Sequence, residues 1–182
     1  SAVGAYVARL AGLLRRLDAA GLLDARAGEY GLTCEGGGHV DAVSTALSRH
    51  FDCSRPVRTV LRRGSYVTHD HGIYARTSSL ASQLLPAIEV WCQVWSRPEP
   101  RLALLGAGRR DLPFDSGLPI PLWRRSGSGE VTPLSATVTG LNDQHAFAEV
   151  EAASELAVGD LVCLGISHPC TAHDKWRLLP ML

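Results

Sequence analysis

The first stretch of the chain places its apolar residues three and four positions apart. Val3, Val7 and Leu10 begin this pattern, which continues to Leu23 with arginines on the opposite side. Such spacing is typical of an amphipathic helix. Gly21 is suited to end the helix, because glycine adopts the backbone conformation that follows many helix ends.

A strand, a glycine turn and a second helix are predicted next. The apolar run at 30–34 leads into Gly36, Gly37 and Gly38, and residues 40–51 again have helical spacing. Residues 57–61 form the next predicted strand. The first part of the chain therefore has a β-α-β pattern, in which parallel strands are joined through a packed helix.

The pattern changes after Tyr74, where helical periodicity fades and a short polar link follows at 77–79. Further on, short β-rich runs alternate with clusters of Gly, Pro, Asn and Asp; they lie at 88–95, 102–105, 132–139, 146–151 and 160–166. Residues 124–129 are predicted to form an exposed loop. The fold class is α/β plus all-β: an α/β domain at 1–80, then an antiparallel β domain at 81–182, a small barrel or sandwich.

The composition is that of an ordinary globular protein. The chain has 18 basic and 18 acidic residues and no net charge, which argues against nucleic acid as a partner. No apolar run approaches the roughly 20 residues needed to span a bilayer, so no membrane association is expected. Five cysteines without CxxC spacing fit reduced thiols and a cytoplasmic location. The first residue is Ser1, and we expect the chain to be cut from a longer protein.

Gly36, Gly37 and Gly38 lie where a strand leads into a helix. Bare backbone amides and the positive end of the helix dipole make such a turn suitable for a phosphate group. The alternative is a glycine turn that binds nothing, and this is common at strand-to-helix junctions.

His69, Asp70 and His71 follow the end of the second predicted strand, which in an α/β fold is the end where ligands bind. If the segment stays extended, the two histidines share one face and a metal site is conceivable. The alternative is a polar loop whose side chains satisfy one another.

His168 and Cys170 follow the last predicted strand. In an extended chain the two side chains project to the same side, and imidazole plus thiolate is a ligand pair suited to zinc. Two protein ligands leave positions for substrate and water, which favours a catalytic site. His173 and Asp174 are candidates for orienting the ligands. The alternative is a buried cysteine beside a histidine that is hydrogen-bonded elsewhere.

Several segments together resemble one family of enzymes. They are residues 59–72, 108–119, 141–145 and 159–177, which include the motifs RRGSYVTHDHG, GRRDLPFDSGLP, LNDQH and SHPCT. In this order and combination they resemble the D-serine dehydratase and D-threonine aldolase group of fold-type III, alanine-racemase-like pyridoxal-phosphate enzymes, D-amino-acid deaminase branch.

The resemblance implies the C-terminal part of a (β/α) TIM-type barrel followed by the antiparallel β domain. It implies that Gly36, Gly37 and Gly38 hold the phosphate of pyridoxal 5'-phosphate and that Tyr66 lies near its ring. His168 and Cys170 would bind Zn²⁺ beside a D-amino acid substrate. The candidates for proton transfer are His69, Asp70 and His145, and a homodimer is expected.

The expected activity is that of a lyase which dehydrates and deaminates a D-hydroxy amino acid such as D-serine to a 2-keto acid and ammonia. The family binds its cofactor through a lysine in the first barrel strand, whereas the only lysine here is Lys175, after the zinc motif. We therefore expect this polypeptide alone to be inactive. The alternatives are retro-aldol cleavage, as in D-threonine aldolase, and a non-catalytic relative that keeps the cofactor pocket.

Overall fold

A computed structural model describes the chain except at a few positions. The described residues are 2–24, 26, 28–34, 40–48, 51–62, 64–78 and 80–181, with only the backbone described at 40 and 41. They form two units, one made of residues 1–64 and 77–79 and the other of residues 65–76 and 80–182.

The first unit contains two helices and a pair of parallel strands. Its elements in chain order are α1 (Ala2–Ala19), β1 (Tyr30–Cys34), α2 (Val40–Leu47) and β2 (Val57–Leu61). Strands β1 and β2 pair in parallel, with Tyr30 opposite Val57 and Cys34 opposite Leu61. Their core is apolar and is centred on Val7, Cys34, Val43 and Leu47.

Helix α1 ends at Ala19, two residues before the glycine that the sequence indicated. Gly21 has a φ of 66°, a value that favours glycine. The amide of Gly21 donates to the carbonyl oxygen of Asp18, and the amide of Leu22 donates to that of Leu17. This pair of bonds satisfies carbonyl groups that the end of a helix would leave unpaired.

The β-α-β order of the first unit agrees with the sequence pattern. Helix α2 ends at Leu47, before the predicted end at residue 51, and Phe51 lies outside it. Two parallel strands do not establish a barrel, so the TIM-type barrel stays a prediction. The glycines Gly36, Gly37 and Gly38 lie outside the described residues.

The second unit is built on an antiparallel sheet. Its elements are a 3-10 turn (Ser65–Val67), α3 (Ile73–Thr77), seven strands and α4 (Pro169–Lys175). The strands are β3 (Glu89–Glu99), β4 (Leu102–Leu105), β5 (Ile120–Arg125), β6 (Val131–Pro133), β7 (Ala136–Leu141), β8 (Ala146–Val150) and β9 (Leu161–Gly165). Their order in the sheet is β6-β5-β9-β3-β4-β8-β7.

The sheet curls around an apolar core. Strand β5 contacts β7 although the two are far apart in strand order. The most buried side chains inside include Val94, Leu105, Val162 and Leu164, none of them measurably exposed. Burying such side chains is the main favourable contribution to folding. The predicted antiparallel β domain is therefore confirmed.

The sequence pattern missed strand β5. Pro121 interrupts its apolar alternation, and proline in a sheet is confined to edges and bulges. The pairing of β5 with β9 indeed shifts register between Pro121 and Trp123. The predicted loop at 124–129 is therefore wrong at its first two residues, which belong to β5. The predicted strand at 132–139 is two strands, β6 and β7.

The first unit gives way to the second at residue 64, whereas the sequence placed the boundary near residue 80. The cause is visible in the backbone. The amide of His71 donates to the carbonyl oxygen of Ile166, and the amide of Ile73 donates to that of Ser167. Residues 65–76 therefore belong structurally with the end of β9. Within the described part of the chain, no helix has the length and apolar character needed to cross a membrane.

Candidate active site at the end of strand β9

The segment after β9 carries the candidate ligands. Ile166 and Ser167 follow the strand and are buried, with a bend at Ser167, and His168 is extended, with φ −159° and ψ 115°. Pro169 is the first residue of α4, a position where proline is favoured because its missing amide hydrogen has no partner to lose. His168 therefore lies at the junction between strand and helix.

The ring of His168 is held by a carboxylate from a distant loop. Its Nδ1 lies 2.5 Å from Oδ2 of Asp115. The hydroxyl of Thr171, in the first turn of α4, donates to Oδ1 of Asp115 over 2.8 Å. Burial opposes ionisation of Asp115, but the hydrogen bonds from His168 and Thr171 outweigh it and lower the pKa of this carboxyl.

Cys170 lies in the helix, not in an extended segment. Its exposed sulfur is 2.9 Å from Oγ of Ser65, which begins the 3-10 turn. The expectation that His168 and Cys170 share a face assumed an extended chain, and this assumption is wrong. Residues two apart in a helix project about 200° apart around its axis, so any convergence of the two side chains depends on the bend at Pro169.

The residues at this junction fit zinc in their donor chemistry. Asp115 engages Nδ1 of His168, and Nε2 has no hydrogen-bond partner among the described residues. A carboxylate on one ring nitrogen is the usual arrangement behind a histidine that binds zinc through the other. The described residues contain no group of three or more His, Cys, Asp or Glu side chains that could hold a metal. The candidate site thus offers two protein ligands.

His69 and Asp70 are buried beneath this junction, with exposed fractions of 1% and 0%. Oδ1 of Asp70 accepts hydrogen bonds from the amides of Gly72 and Tyr74, at the start of α3. Burial raises the pKa of Asp70 more than these two bonds lower it. Asp70 thus has a structural role at α3, and proton transfer by His69 or Asp70 stays a prediction.

His71 packs directly on the backbone of β9. A β-carbon added to Gly165 would lie 2.5 Å from Cγ of the His71 ring, so glycine is required there. Burial lowers the pKa of His71. Among the described residues, Nδ1 of His71, both ring nitrogens of His69 and Oδ2 of Asp70 are buried without a hydrogen-bond partner. The segment is a buried loop on the sheet and not an extended metal-binding strand.

His145 and Tyr66 occupy different surroundings. Nε2 of His145 lies 3.1 Å from Nδ2 of Asn142, and its ring meets Phe147 edge-on with centroids 5.1 Å apart. Both of these contacts stay within the β7–β8 hairpin. Tyr66 lies in the 3-10 turn beside Ser65 and is partly exposed. The predicted roles of His145 in catalysis and of Tyr66 in cofactor binding stay predictions.

Sequence reasoning missed the group that holds His168. It proposed His173 and Asp174, which are exposed on α4, and it assigned no role to Asp115. The only feature of the sequence that could have indicated a role for Asp115 was its position inside the motif GRRDLPFDSGLP. The structure brings this motif to His168 through contacts that span 53 residues.

The fold and the site together define a class of protein. Its members have a curled antiparallel β domain with a His-Pro-Cys segment shortly after the last strand. Residues 87–182 match the family described as "Putative serine dehydratase domain". The chain belongs to this family.

A solved structure also resembles the chain: the crystal structure of D-threonine aldolase from Filomicrobium marinum. The TM-score is 0.58 and the sequence identity 22%, over 95% of this chain and 42% of that one. At this identity the likeness concerns the fold, and the chain spans 42% of the length of that aldolase. No curated protein matches the chain in sequence. The resemblance to the D-serine dehydratase and D-threonine aldolase group is confirmed.

Proposed function

We propose that the chain is part of a lyase that dehydrates and deaminates a D-hydroxy amino acid such as D-serine. D-serine would lose water across its α- and β-carbons, and water would then release ammonia, which leaves pyruvate. The observation that carries the proposal is His168, whose Nδ1 is engaged by Asp115 beside Cys170, in a domain of the serine dehydratase family.

His168 and Cys170 would hold the zinc ion in this proposal, His168 through Nε2 and Cys170 through its thiolate. Zinc supplies Lewis acidity when bound, which helps a hydroxyl group leave. Because the described residues offer two ligands, the hydroxyl oxygen of the substrate would have a position next to them. Pro169 fixes the bend between the two ligands by starting α4.

Pyridoxal 5'-phosphate would supply the electron sink for removal of the Cα proton. The only lysine of the chain does not fit the role of its covalent anchor, because Nζ of Lys175 donates to the carbonyl oxygen of Arg109 on the surface. We propose phosphate binding by Gly36, Gly37 and Gly38, and a ring contact by Tyr66. The 182-residue chain alone would then lack turnover.

Zinc analysis tests the metal part of the proposal on the chain as it stands. Purified protein should contain about one zinc per chain, as expected for a single two-ligand site. The variant with both His168→Ala and Cys170→Ala should lose it. His173→Ala is the matched control, since this histidine is exposed on the same helix. Unchanged zinc content in the double variant would contradict the assignment of the ligands.

Product analysis tests the reaction in an enzyme that contains this chain together with a cofactor-binding lysine. We expect a 2-keto acid and ammonia from D-serine. Retro-aldol cleavage is the second candidate, favoured by the fold likeness to D-threonine aldolase. Glycine and acetaldehyde from D-threonine, with no keto acid from D-serine, would favour it over dehydration. Neither product, with pyridoxal phosphate bound, would indicate a non-catalytic relative.

We also propose a homodimer, by resemblance to the family. Light scattering combined with size-exclusion chromatography measures the mass directly. A mass of 19.5 kDa, that of one chain, would contradict a dimer of this polypeptide.

A further inference from the structure

The carboxylate of Asp115 uses its two oxygens for two different partners. Oδ2 is 2.5 Å from Nδ1 of His168, and Oδ1 accepts the hydroxyl hydrogen of Thr171 over 2.8 Å. Thr171 follows His168 by three residues, and its hydroxyl is also 3.3 Å from the carbonyl oxygen of His168. Asp115 is therefore tied both to the histidine ring and to the helix that begins next to it.

The loop that carries Asp115 is itself fixed at several points. Leu112 and Pro113 are fully buried just before it. The carbonyl oxygen of Ser116, just after it, accepts a hydrogen bond from Arg76 over 3.1 Å. The indole of Trp176 donates to the carbonyl oxygen of Asp111 over 2.8 Å. A carboxylate on a loop held in this way can fix the orientation of its partner.

The donors around Asp115 decide where the imidazole proton lies. Thr171 donates to Oδ1, and the hydroxyl of Ser116 lies 3.4 Å from Oδ2 as a further donor. A carboxylate that receives hydrogen bonds in this way is an acceptor, so Nδ1 of His168 must donate to it. In neutral imidazole only one nitrogen carries a hydrogen, and the lone pair is then on Nε2.

We propose that Asp115 is a positioning residue that holds His168 in the Nδ1-protonated tautomer and presents Nε2 as a ligand to a divalent cation. The role of the cation rests on the proposed function. The tautomer itself does not, because it follows from contacts within the chain and exists before any metal binds.

Three variants of the 182-residue chain test how Asp115 acts on His168. Asp115→Ala removes the acceptor. Asp115→Asn removes the charge but keeps one oxygen, which can accept from Nδ1 while the amide NH₂ group donates to the hydroxyl oxygen of Thr171. Asp143→Ala is the control, because Asp143 is an exposed carboxylate of a neighbouring turn, 3.7 Å from Arg110. Circular dichroism should show that all three fold like the wild type.

The first readout is the nitrogen chemical shift of the His168 ring in ¹⁵N-labelled, metal-free protein. The signals are assigned by their loss in His168→Gln. In the wild type and in Asp115→Asn, Nδ1 should be protonated and Nε2 not. In Asp115→Ala the two tautomers should mix, because the hydroxyl of Ser116, 3.4 Å from Nδ1, can either donate to it or accept from it.

The second readout is zinc affinity, measured by competition with a chromophoric chelator. Asp115→Ala should weaken binding by roughly 10- to 100-fold, the usual effect of removing such a partner. Asp115→Asn should weaken it less, and Asp143→Ala should leave it unchanged. Rescue by Asn would distinguish positioning of the ring from a general loss of structure.

The outcomes distinguish this proposal from the proposed function. Unchanged His168 shifts in Asp115→Ala would overturn the positioning role, even if zinc binds to His168 and Cys170. A tautomer change in Asp115→Ala with no zinc binding by the wild type would support the positioning role and contradict the zinc site of the proposed function.

Discussion

The sulfur of Cys170 lies 2.9 Å from the hydroxyl oxygen of Ser65, although 105 positions separate the two residues. The contact brings the 3-10 turn at 65–67 to the first turn of α4. Ser65 belongs to the segment that sequence reasoning assigned to the first domain, and here it contacts a candidate zinc ligand. The position of this turn therefore bears directly on the candidate site.

Cys170 should be the cysteine most readily modified in metal-free protein. It is exposed, whereas Cys34, Cys92 and Cys163 are buried. Burial raises the pKa of Cys92 to about 12 and raises that of Cys163 as well, and the thiol form reacts poorly. Peptide mapping after brief treatment with iodoacetamide should find Cys170 labelled first.

Zinc should slow the labelling of Cys170, because a thiolate bound to metal is a weaker nucleophile. Cys53, which is partly buried in the first unit, serves as the internal control. Equal labelling of Cys170 with and without zinc would argue against Cys170 as a ligand.

Removing the hydroxyl of Thr171 should weaken the hold on Asp115. Thr171→Val keeps the shape of the side chain but deletes the donor to Oδ1, while Thr171→Ser keeps the donor. We expect Thr171→Val to reduce zinc affinity by less than Asp115→Ala does, because the bond to His168 remains. The same chelator titration measures it. If Thr171→Ser lost as much zinc affinity as Thr171→Val, the hydroxyl of Thr171 would not be the cause of the loss.

A β-carbon at position 72 should destabilise the second unit. In Gly72→Ala it would lie 2.6 Å from Cα of Ser167, a backbone atom that cannot move away by a side-chain rotation. Overpacking of this kind costs about 1–3 kcal/mol. Urea unfolding should show the loss, and Gly127→Ala, where nothing lies within 4 Å, should show little change. Equal stability of both variants would mean that the loop at 69–72 does not pack tightly on the segment after β9.

The pH dependence of stability should reveal the buried carboxyl of Asp70. Burial raises its folded-state pKa above the unfolded value, so the folded state holds the proton more tightly. The stability that this contributes is fully present below the unfolded pKa and is lost as pH rises through the raised folded value. Asp70→Asn keeps an oxygen for the amides of Gly72 and Tyr74 and cannot ionise.

The free energy of unfolding of Asp70→Asn, relative to the wild type, should therefore increase with pH across that range. Chemical denaturation at a series of pH values measures the difference. Asp143→Asn, an exposed carboxyl, is the control. A difference between Asp70→Asn and the wild type that stays constant with pH would show that Asp70 ionises normally in the fold.

The sequence predicted most of the strands, because alternation and turn residues act locally. β9 was expected at 160–166 and lies at Leu161–Gly165, and the parallel pair β1–β2 was expected as well. β5 was missed, because a proline that a bulge accommodates looks like a strand breaker in the sequence alone. Helix α4, which begins at Pro169, was not predicted, and the argument for a shared face of His168 and Cys170 assumed an extended chain there.

The candidate site was predictable only in part. His168 and Cys170 lie two positions apart in a recognisable motif. Asp115 reaches His168 across 53 positions, and Ser65 reaches Cys170 across 105. Such contacts depend on how the loops pack against the folded sheet. The local periodicity of the sequence does not contain this information.

Strand β9 lies between β5 and β3 in the sheet, although it is the last strand of the chain. The β3–β4 and β7–β8 hairpins join neighbours in sequence, whereas β9 pairs with β3 roughly 70 residues earlier, as in Cys92 with Val162. Local pairs form faster than distant ones. We therefore expect β9 to join the sheet late in folding. His168 follows that strand closely, so the proposed metal-binding capacity should appear at the same time as the completed sheet.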